Sequence, residues 1–263
     1  MPRFEPQPRR RPALITGASS GIGAATAGVL AAAGHPVALG ARRVDRCEEI
    51  AEAIVKDGGE AFVHPLDVAD SDSVRRFVAA ATGSFGAPEV VVSSAGDLSA
   101  ELIHGMDSEE FAAQLQVHLV GAHRLVSHVA PGMVERGRGD LVFVSSDVVR
   151  APRPRMGAYV AAKHGLEGMV RAMQMELEGT GVRVSMVRPG PTMTGMGMGW
   201  DARTTELVLS DWAKWGLARH PYFLRPEDVA AAVAAVVGAP RGTHLALIEV
   251  QPEAAVTKPK ENR

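Results

Sequence analysis

Short apolar runs alternate with longer segments of mixed polarity along almost the whole chain. The apolar runs predict strands, because they are short, rich in aliphatic residues and bounded by turn residues. These strands lie at residues 13–16, 36–40, 61–65, 89–93, 140–145, 183–187 and 244–250. The segments between them predict helices at 22–33, 47–56, 71–82, 108–136, around Tyr159 as far as residue 178, and 226–237.

Strands that alternate with helices predict a parallel sheet covered on both faces, and right-handed crossovers make it doubly wound. We therefore expect a single α/β domain over residues 13–251, with about seven parallel strands. Residues 1–12 are rich in Pro and Arg and predict a disordered leader, and residues 252–263 predict a C-terminal tail. The irregular region near the C-terminus is rich in Gly, Met and Trp, and it predicts a substrate lid at about 191–224.

Composition excludes several classes of protein. The 263 residues include one cysteine, Cys47, so no intramolecular disulfide can form, which fits a reducing, cytoplasmic location. The formal net charge of −2 provides no basic field for nucleic acid. Residues 12–41 are uncharged and follow three arginines, as in an export signal or membrane span, but glycines and polar residues interrupt them. A buried strand–helix–strand unit explains this stretch better, and no membrane association is expected.

A glycine-rich turn joins the first predicted strand to the first predicted helix. Gly17, Gly21 and Gly23 there allow a tight turn, close approach of the backbone to a pyrophosphate and close packing of helix on strand. The helix N-terminus offers free N–H groups and a positive dipole end to phosphates. An ordinary glycine turn is the alternative, but its place after the first strand favours a dinucleotide site.

The end of the second predicted strand indicates which dinucleotide binds. An acidic residue there would bind the ribose hydroxyl of NAD, but the chain has Arg42 and Arg43. Guanidinium groups suit a 2′-phosphate, so we expect NADP(H) in preference to NAD(H), unless both arginines are simply solvated. After the third strand, Asp67 and Val68 are placed to contact adenine, although Asp67 is nearly as well explained as a helix cap.

Tyr159 and Lys163 are four residues apart and share one face of a predicted helix. A nearby ammonium favours the phenolate and is expected to lower the pKa of the tyrosine from its usual value of about 10. The pair alone is often a solvated helix face. Ser146 changes this interpretation, because it lies at the carboxyl end of a strand, where ligands bind in such sheets, and its hydroxyl can hold a substrate carbonyl oxygen beside Tyr159.

Together these motifs resemble the short-chain dehydrogenase/reductase family. The ordered set is TGASSGIG, Asp67, Ser94-Ala95-Gly96, Ser146, Tyr159-x-x-x-Lys163 and Pro189-Gly190, and it spans nearly the whole chain after the leader. The resemblance implies a Rossmann-type fold, a homotetramer (or dimer), Ser146 as substrate orienter, Tyr159 as general acid/base and Lys163 on the nicotinamide ribose. The cofactor site that it implies consists of Gly17, Ser19, Ser20, Gly21, Ile22, Gly23, Arg42, Arg43, Asp67, Val68, Ser94, Ala95, Gly96, Tyr159, Lys163, Pro189, Gly190, Thr192 and Thr194.

Two positions depart from the family pattern. Ser94 stands where the family has asparagine, which keeps a polar group but loses the amide. His118 stands where the family usually has an asparagine that helps to hold a water linking the lysine to solvent. We hypothesise that His118 takes over this proton relay, since imidazole also binds water and titrates near neutrality. The alternative is that His118 only packs in its helix and impairs the relay.

The predicted lid carries large apolar side chains that suit a bulky apolar substrate, or else packing between subunits. They are Met196, Met198, Trp200, Leu207, Leu209, Trp212 and Trp215. Arg150, Arg153 and Arg155 flank the active-site strand, and solvated loop arginines are the favoured interpretation over an anionic-substrate site.

The sequence therefore predicts an oxidoreductase that uses NADP(H) and interconverts a carbonyl and an alcohol, with no metal. The principal alternative is a non-enzymatic NADP-binding sensor or scaffold on the same fold. A sugar epimerase or dehydratase is disfavoured, because no C-terminal substrate domain follows the predicted sheet.

Overall fold

A seven-stranded parallel sheet forms the centre of the computed structural model, which describes residues 5–196, 199–217 and 220–256. The strands are β1 Ala13–Thr16, β2 Val37–Ala41, β3 Ala61–Pro65, β4 Val90–Ser93, β5 Gly139–Val144, β6 Val182–Pro189 and β7 Leu247–Val250. Their order in the sheet is β3-β2-β1-β4-β5-β6-β7, so the direction of winding reverses between β1 and β4.

Helices cover both faces of this sheet and enclose two separate apolar cores. The α1, α2 and α8 helices pack on one face, around residues such as Leu30 and Val233, and α3, α5 and α6 pack on the other, around Phe77 and Leu166. The helices are α1 Gly21–Ala32, α2 Val44–Lys56, α3 Ser71–Phe85, α4 Ser108–Leu115, α5 Gly121–Glu135, α6 Gly157–Glu176, α7 Ala202–Lys214 and α8 Pro226–Gly238. The predicted doubly wound α/β fold is confirmed.

The prediction of a single long helix at 108–136 is wrong in one respect. It consists of α4 and α5 joined by a π-helical turn, Gln116–Val120, whose buried residue is His118. A π-helical turn contains one more residue than an α-helical turn and often lies at a functional site. Apolar periodicity cannot reveal such a local insertion, because the residues on either side keep their helical spacing.

The predicted lid region contains a helix that the sequence interpretation missed. Asp201 caps α7 by accepting a hydrogen bond from the backbone N–H of Thr204 (2.7 Å), and Val208 is buried beneath it. An aspartate followed by apolar residues at helical spacing was the available signal. Tryptophan and methionine content instead favoured an irregular segment.

The last residues of the predicted leader pack against the sheet. Arg11 is only 3% exposed, and its guanidinium pairs with the carboxylate of Asp140 at the start of β5 and donates to the carbonyl of Val237. The backbone carbonyl of Pro12 accepts hydrogen bonds from Glu89 and Val90. The leader boundary at residue 12 therefore overlaps the folded part of the chain, since one arginine of an apparent charge run has a buried partner more than a hundred residues away.

No helix in the part of the chain that the structure describes is both long enough and apolar enough to cross a membrane.

We expect Arg11→Met to lower the free energy of unfolding by about 2–3 kcal/mol, measured by urea denaturation, because the change leaves the buried carboxylate of Asp140 with Arg183 as its remaining cation. The matched control is Arg10→Met, since Arg10 forms only an exposed pair with Glu60 and its loss is expected to leave stability unchanged. Equal effects of the two changes would contradict a structural role for Arg11.

Candidate active site

A cavity of about 820 Å³ opens at the carboxyl edge of the sheet, where the strand order reverses between β1 and β4. Open parallel sheets bind ligands at this place, because the loops after neighbouring strands diverge there. Every residue predicted from the sequence for the catalytic and cofactor sites lines this one cavity.

The glycine turn brings the backbone close to the cavity. Gly17 and Gly21 have positive φ values of 68° and 56°, in the left-handed region that favours glycine. A Cβ on Gly17 would lie 2.8 Å from the Cα of Ala95, and one on Gly21 would lie 3.3 Å from the side chain of Thr194. The N-terminus of α1 therefore faces the cavity across from Thr194, with room for backbone contact to a phosphate, and the turn fits a dinucleotide.

Ser94 supplies polar contacts of its own at the position where the family has asparagine. Its hydroxyl donates to the backbone carbonyl of Thr16 (2.6 Å), and the N–H groups of Ser94 and Ala95 both donate to the Thr16 hydroxyl (3.1 Å each). These three bonds fix the end of β4 to the end of β1. Thr16, fully buried, is a positioning residue that the sequence interpretation missed, although it begins the glycine motif.

The two arginines after β2 differ in their contacts. Arg43 donates to the hydroxyls of Ser19 (3.1 Å) and Ser20 (2.7 Å) in the glycine turn. Arg42 is largely exposed and lies 3.8 Å from the carboxylate of Asp97. Both arginines line the cavity beside the turn.

Asp67 borders the cavity and is not the cap of the following helix. Its carboxylate accepts a hydrogen bond from the N–H of Ala69 (2.9 Å), in a local turn after β3. The cap of α3 is Asp70, which accepts from the N–H of Asp72 (2.9 Å). The helix-cap alternative for Asp67 is therefore wrong.

Ser146, Tyr159 and Lys163 converge at one buried point of the cavity. Ser146 follows β5, and its hydroxyl lies near enough to the phenol of Tyr159 on α6 to lower the pKa of that phenol. The ammonium of Lys163 donates to the carbonyl of Val144 (2.8 Å) and lies 5.5 Å from the centre of the Tyr159 ring. A hydroxyl, a phenol and an ammonium thus line one pocket that is open to a substrate.

Burial dominates the acid–base properties of this group. It raises the pKa of Tyr159 to about 12, against the lowering effects of the Ser146 hydrogen bond and the charge of Arg153. Burial also lowers the pKa of Lys163 to about 8, against the raising effect of Glu167. The expectation of a lowered tyrosine pKa is not met, because desolvation of the phenolate outweighs the nearby cations.

His118 is buried as a neutral imidazole. Its Nε2–H donates to the backbone carbonyl of Asp97 (2.7 Å), and its ring lies edge-on to that of Tyr159, with 5.0 Å between centroids. Burial first, and the charge of Lys163 second, lower its pKa to about 3. The expectation that this imidazole titrates near neutrality is therefore wrong.

The remaining nitrogen of His118 is available as an acceptor. Nδ1 is buried and has no hydrogen-bond partner among the described residues. The imidazole also fills the space over Gly96, where a Cβ would lie 2.4 Å from its Cε1. A histidine at this position thus requires glycine at position 96.

The lid forms a third apolar cluster around Tyr159, apart from the two cores of the sheet. Val148, Met156, Tyr159 and Val208 form its centre. Trp200 and Trp212 pack against it, and the indole N–H of Trp200 donates to the carbonyl of Leu98 (3.2 Å). Of the predicted lid residues, Met196, Trp200, Leu209 and Trp212 line the cavity, Leu207 and Trp215 do not, and Met198 lies outside the described residues.

The three arginines near the active-site strand all form ion pairs; Arg150 stays largely exposed, as expected for a solvated loop arginine, whereas Arg153 and Arg155 do not. Arg153 is 8% exposed, forms a two-point ion pair with Asp147 (2.7 and 2.8 Å) and lies 5.1 Å above the ring of Trp212. Arg155 pairs with Asp211 on α7, and Arg150 with Glu249. Asp147 is a cavity residue that the sequence did not single out, because its pairing with Arg153 depends on the turn after Ser146.

Comparison with known proteins agrees with this geometry. The family model described as short chain dehydrogenase matches residues 11–205. The chain is 36% identical over 239 residues to the glycine betaine reductase ATRR of Emericella nidulans, covering 90% of this chain and 18% of that protein. It spans 55% of an uncharacterized oxidoreductase of Mycobacterium bovis that it also matches.

Two further matches extend over most of both chains. One is the putative ketoacyl reductase of the monensin polyketide synthase of Streptomyces virginiae, 36% identical, with 86% of this chain and 90% of that protein covered. The other is the solved structure of an alcohol dehydrogenase of Thermococcus sibiricus complexed with 5-hydroxy-NADP. It is 31% identical, has a TM-score of 0.79, and the match covers 92% of this chain and 96% of that one. These two relatives are named as a putative ketoacyl reductase and an alcohol dehydrogenase. The chain belongs to the short-chain dehydrogenase/reductase family.

Proposed function

We propose that the protein is an NADP(H)-dependent oxidoreductase that interconverts a bulky apolar carbonyl compound and its alcohol. The observation that carries this proposal is the convergence of Ser146, Tyr159 and Lys163 at one buried point that the apolar lid cluster covers. Relatives named as a ketoacyl reductase and an alcohol dehydrogenase support a carbonyl/alcohol pair.

In the reductive direction, NADPH held by the glycine turn and Lys163 would supply a hydride to the carbonyl carbon. The hydroxyl of Ser146 donates a hydrogen bond to the carbonyl oxygen and holds it beside the phenol of Tyr159. As the C=O double bond becomes a C–O single bond, the Tyr159 O–H transfers its proton to that oxygen, which completes the alcohol. Oxidation reverses both transfers, with Tyr159 as the base.

Lys163 has two roles in this proposal. Its ammonium binds the nicotinamide ribose, and its charge stabilises the phenolate that remains after proton transfer. Burial raises the pKa of Tyr159 to about 12, so the phenol, like an ordinary tyrosine, is protonated at neutral pH. A protonated phenol is the form that donates the proton in reduction.

His118 participates as a neutral acceptor rather than by gaining and losing a proton. Its Nε2–H is held by Asp97, so a water at Nδ1 donates to the imidazole and links the region of Lys163 to solvent. This proposal revises the role expected from the sequence, in which the imidazole of His118 would itself gain and lose the proton.

Arg42 and Arg43 account for the proposed preference for NADP(H). Both line the cavity beside the glycine turn, and Arg43 already bonds the two serine hydroxyls that share this place. We also propose a cytoplasmic location and assembly into a homotetramer or a dimer. Leu207 and Trp215, which do not line the cavity, are 39% and 64% exposed and suit packing between subunits.

We expect Tyr159→Phe to abolish turnover while NADPH binding stays within about threefold, because the change removes only the hydroxyl that carries the proton. Turnover is followed as NADPH oxidation with ketones, aldehydes and quinones of graded size, and binding by NADPH fluorescence. Unimpaired turnover in the variant would contradict the proposed chemistry, and activity confined to small polar carbonyls would contradict the apolar lid.

The double change Arg42→Ala/Arg43→Ala is expected to weaken NADPH binding by roughly 10-fold to 100-fold, since it removes charge-assisted hydrogen bonds to the 2′-phosphate. Binding of NADH, which has no such phosphate, is expected to change by less than about threefold. Arg46→Ala is the matched control, because Arg46 forms only an exposed pair with Glu49 on the next helix. Equal losses for NADPH and NADH would overturn the preference.

His118→Asn and His118→Ala separate a water-binding role from simple packing. We expect the asparagine variant to keep most of the reductase activity and the alanine variant to lose about tenfold or more in kcat, because only asparagine retains a polar group toward the water. Near neutral pH, the dependence of kcat on pH is expected to be the same in both variants as in the unchanged protein, since the imidazole of His118 is neutral there. Unchanged rates in both variants would show that His118 has no part in the relay.

A further inference from the structure

Glu167 is a buried carboxylate that the proposed chemistry leaves without a role. It lies on α6 one helical turn after Lys163 and is 5% exposed. Buried carboxylates are costly unless they are paired, so its surroundings indicate what it does.

The carboxylate of Glu167 connects three elements that form the cavity. It accepts a hydrogen bond from the hydroxyl of Ser145 (2.7 Å), the residue beside Ser146 at the end of β5. It also accepts two from Arg188 on β6 (2.9 and 2.7 Å), the residue before Pro189 and Gly190. Glu167 thus fixes α6 to the ends of β5 and β6 within one turn of Lys163.

The charges around Lys163 make this placement relevant to the site. Glu167 is the acidic group that acts on the Lys163 ammonium. The neutral ring of His118 approaches from the π-helical turn, and the charges of Asp147 and Arg153 cancel in their own pair. Arg188 shares its charge between Glu167 and Glu249 on β7, and Arg171 approaches Glu167 from the exposed side of α6 (3.5 Å).

We propose that Glu167 is a positioning residue for the active site, which holds Lys163 and Ser146 in register and keeps the buried ammonium charged. This inference rests on the proposed function for the role of Lys163, but the network of contacts around Glu167 does not depend on it.

The sign of the expected effect follows from burial. Burial lowers the pKa of Lys163 to about 8, and Glu167 opposes that lowering. Removing the negative charge lowers the lysine pKa further. Activity that needs the Lys163 ammonium is complete below the pKa of this lysine and is lost as the pH rises through it. Because the pKa is lower without the charge of Glu167, this loss of activity is expected at lower pH.

The test compares Glu167→Gln with Glu176→Gln, an exposed glutamate near the end of the same helix. In the first variant we expect the alkaline limb of kcat/KM to move to lower pH by roughly 0.5–1 unit. The dissociation constant of NADPH, from fluorescence, is expected to rise over the same pH range. The control is expected to match the unmodified protein in both measurements.

Because Glu167→Gln leaves Arg188 with a reduced set of partners, a second variant guards against a folding defect. Glu167→Gln/Arg188→Met removes both charges of the buried pair and keeps an apolar stem in place of the arginine. If Glu167 acts on Lys163, the alkaline limb and the NADPH affinity stay shifted in this double variant. If Glu167 serves only to neutralise Arg188, both return to normal, and the proposal is overturned.

Unchanged pH dependence of NADPH affinity in a folded Glu167→Gln protein would also overturn it. The failure of the proposed function is a separate result, namely turnover that survives Tyr159→Phe. In that case the NADPH-binding measurements still decide the role of Glu167.

Discussion

Burial of an ammonium and a phenol at the end of β5 is the constraint on which the site depends. Lys163 is held there by a backbone carbonyl and by the nearby charge of Glu167, at the cost of desolvation. The same burial raises the pKa of Tyr159 to about 12. Charges and dipoles act more strongly in such a place than in water, so small displacements of these groups strongly change their electrostatic interactions.

The side chains around Tyr159 and Lys163 add little net charge. His118 is neutral, and Arg153 and Asp147 cancel in a buried pair against Trp212. The third apolar cluster then covers Tyr159 and limits access of water. Lys163 therefore stands as the principal charge at this point of the cavity.

Local sequence patterns predicted most of the fold. Apolar runs of strand length and glycines at a strand–helix junction predicted the sheet and the cofactor turn, because these features depend on residues close together in sequence. The order of motifs then placed Ser146, Tyr159 and Lys163 in one site. The errors were of another kind: the π-helical turn at His118, the lid helix α7, and the packed arginine at position 11.

The sequence by itself determined the fold class and the place of the glycine turn, since strands and strand–helix junctions follow from periodicity, and the family resemblance indicated part of the cavity lining. Only the tertiary structure decided the charge states. Burial, which depends on chain segments far apart in sequence, raised the pKa of Tyr159 and lowered those of Lys163 and His118. The tertiary structure also pairs Glu167 with Ser145 and Arg188. No local pattern specifies this contact, because the three residues come from one helix and the ends of two different strands.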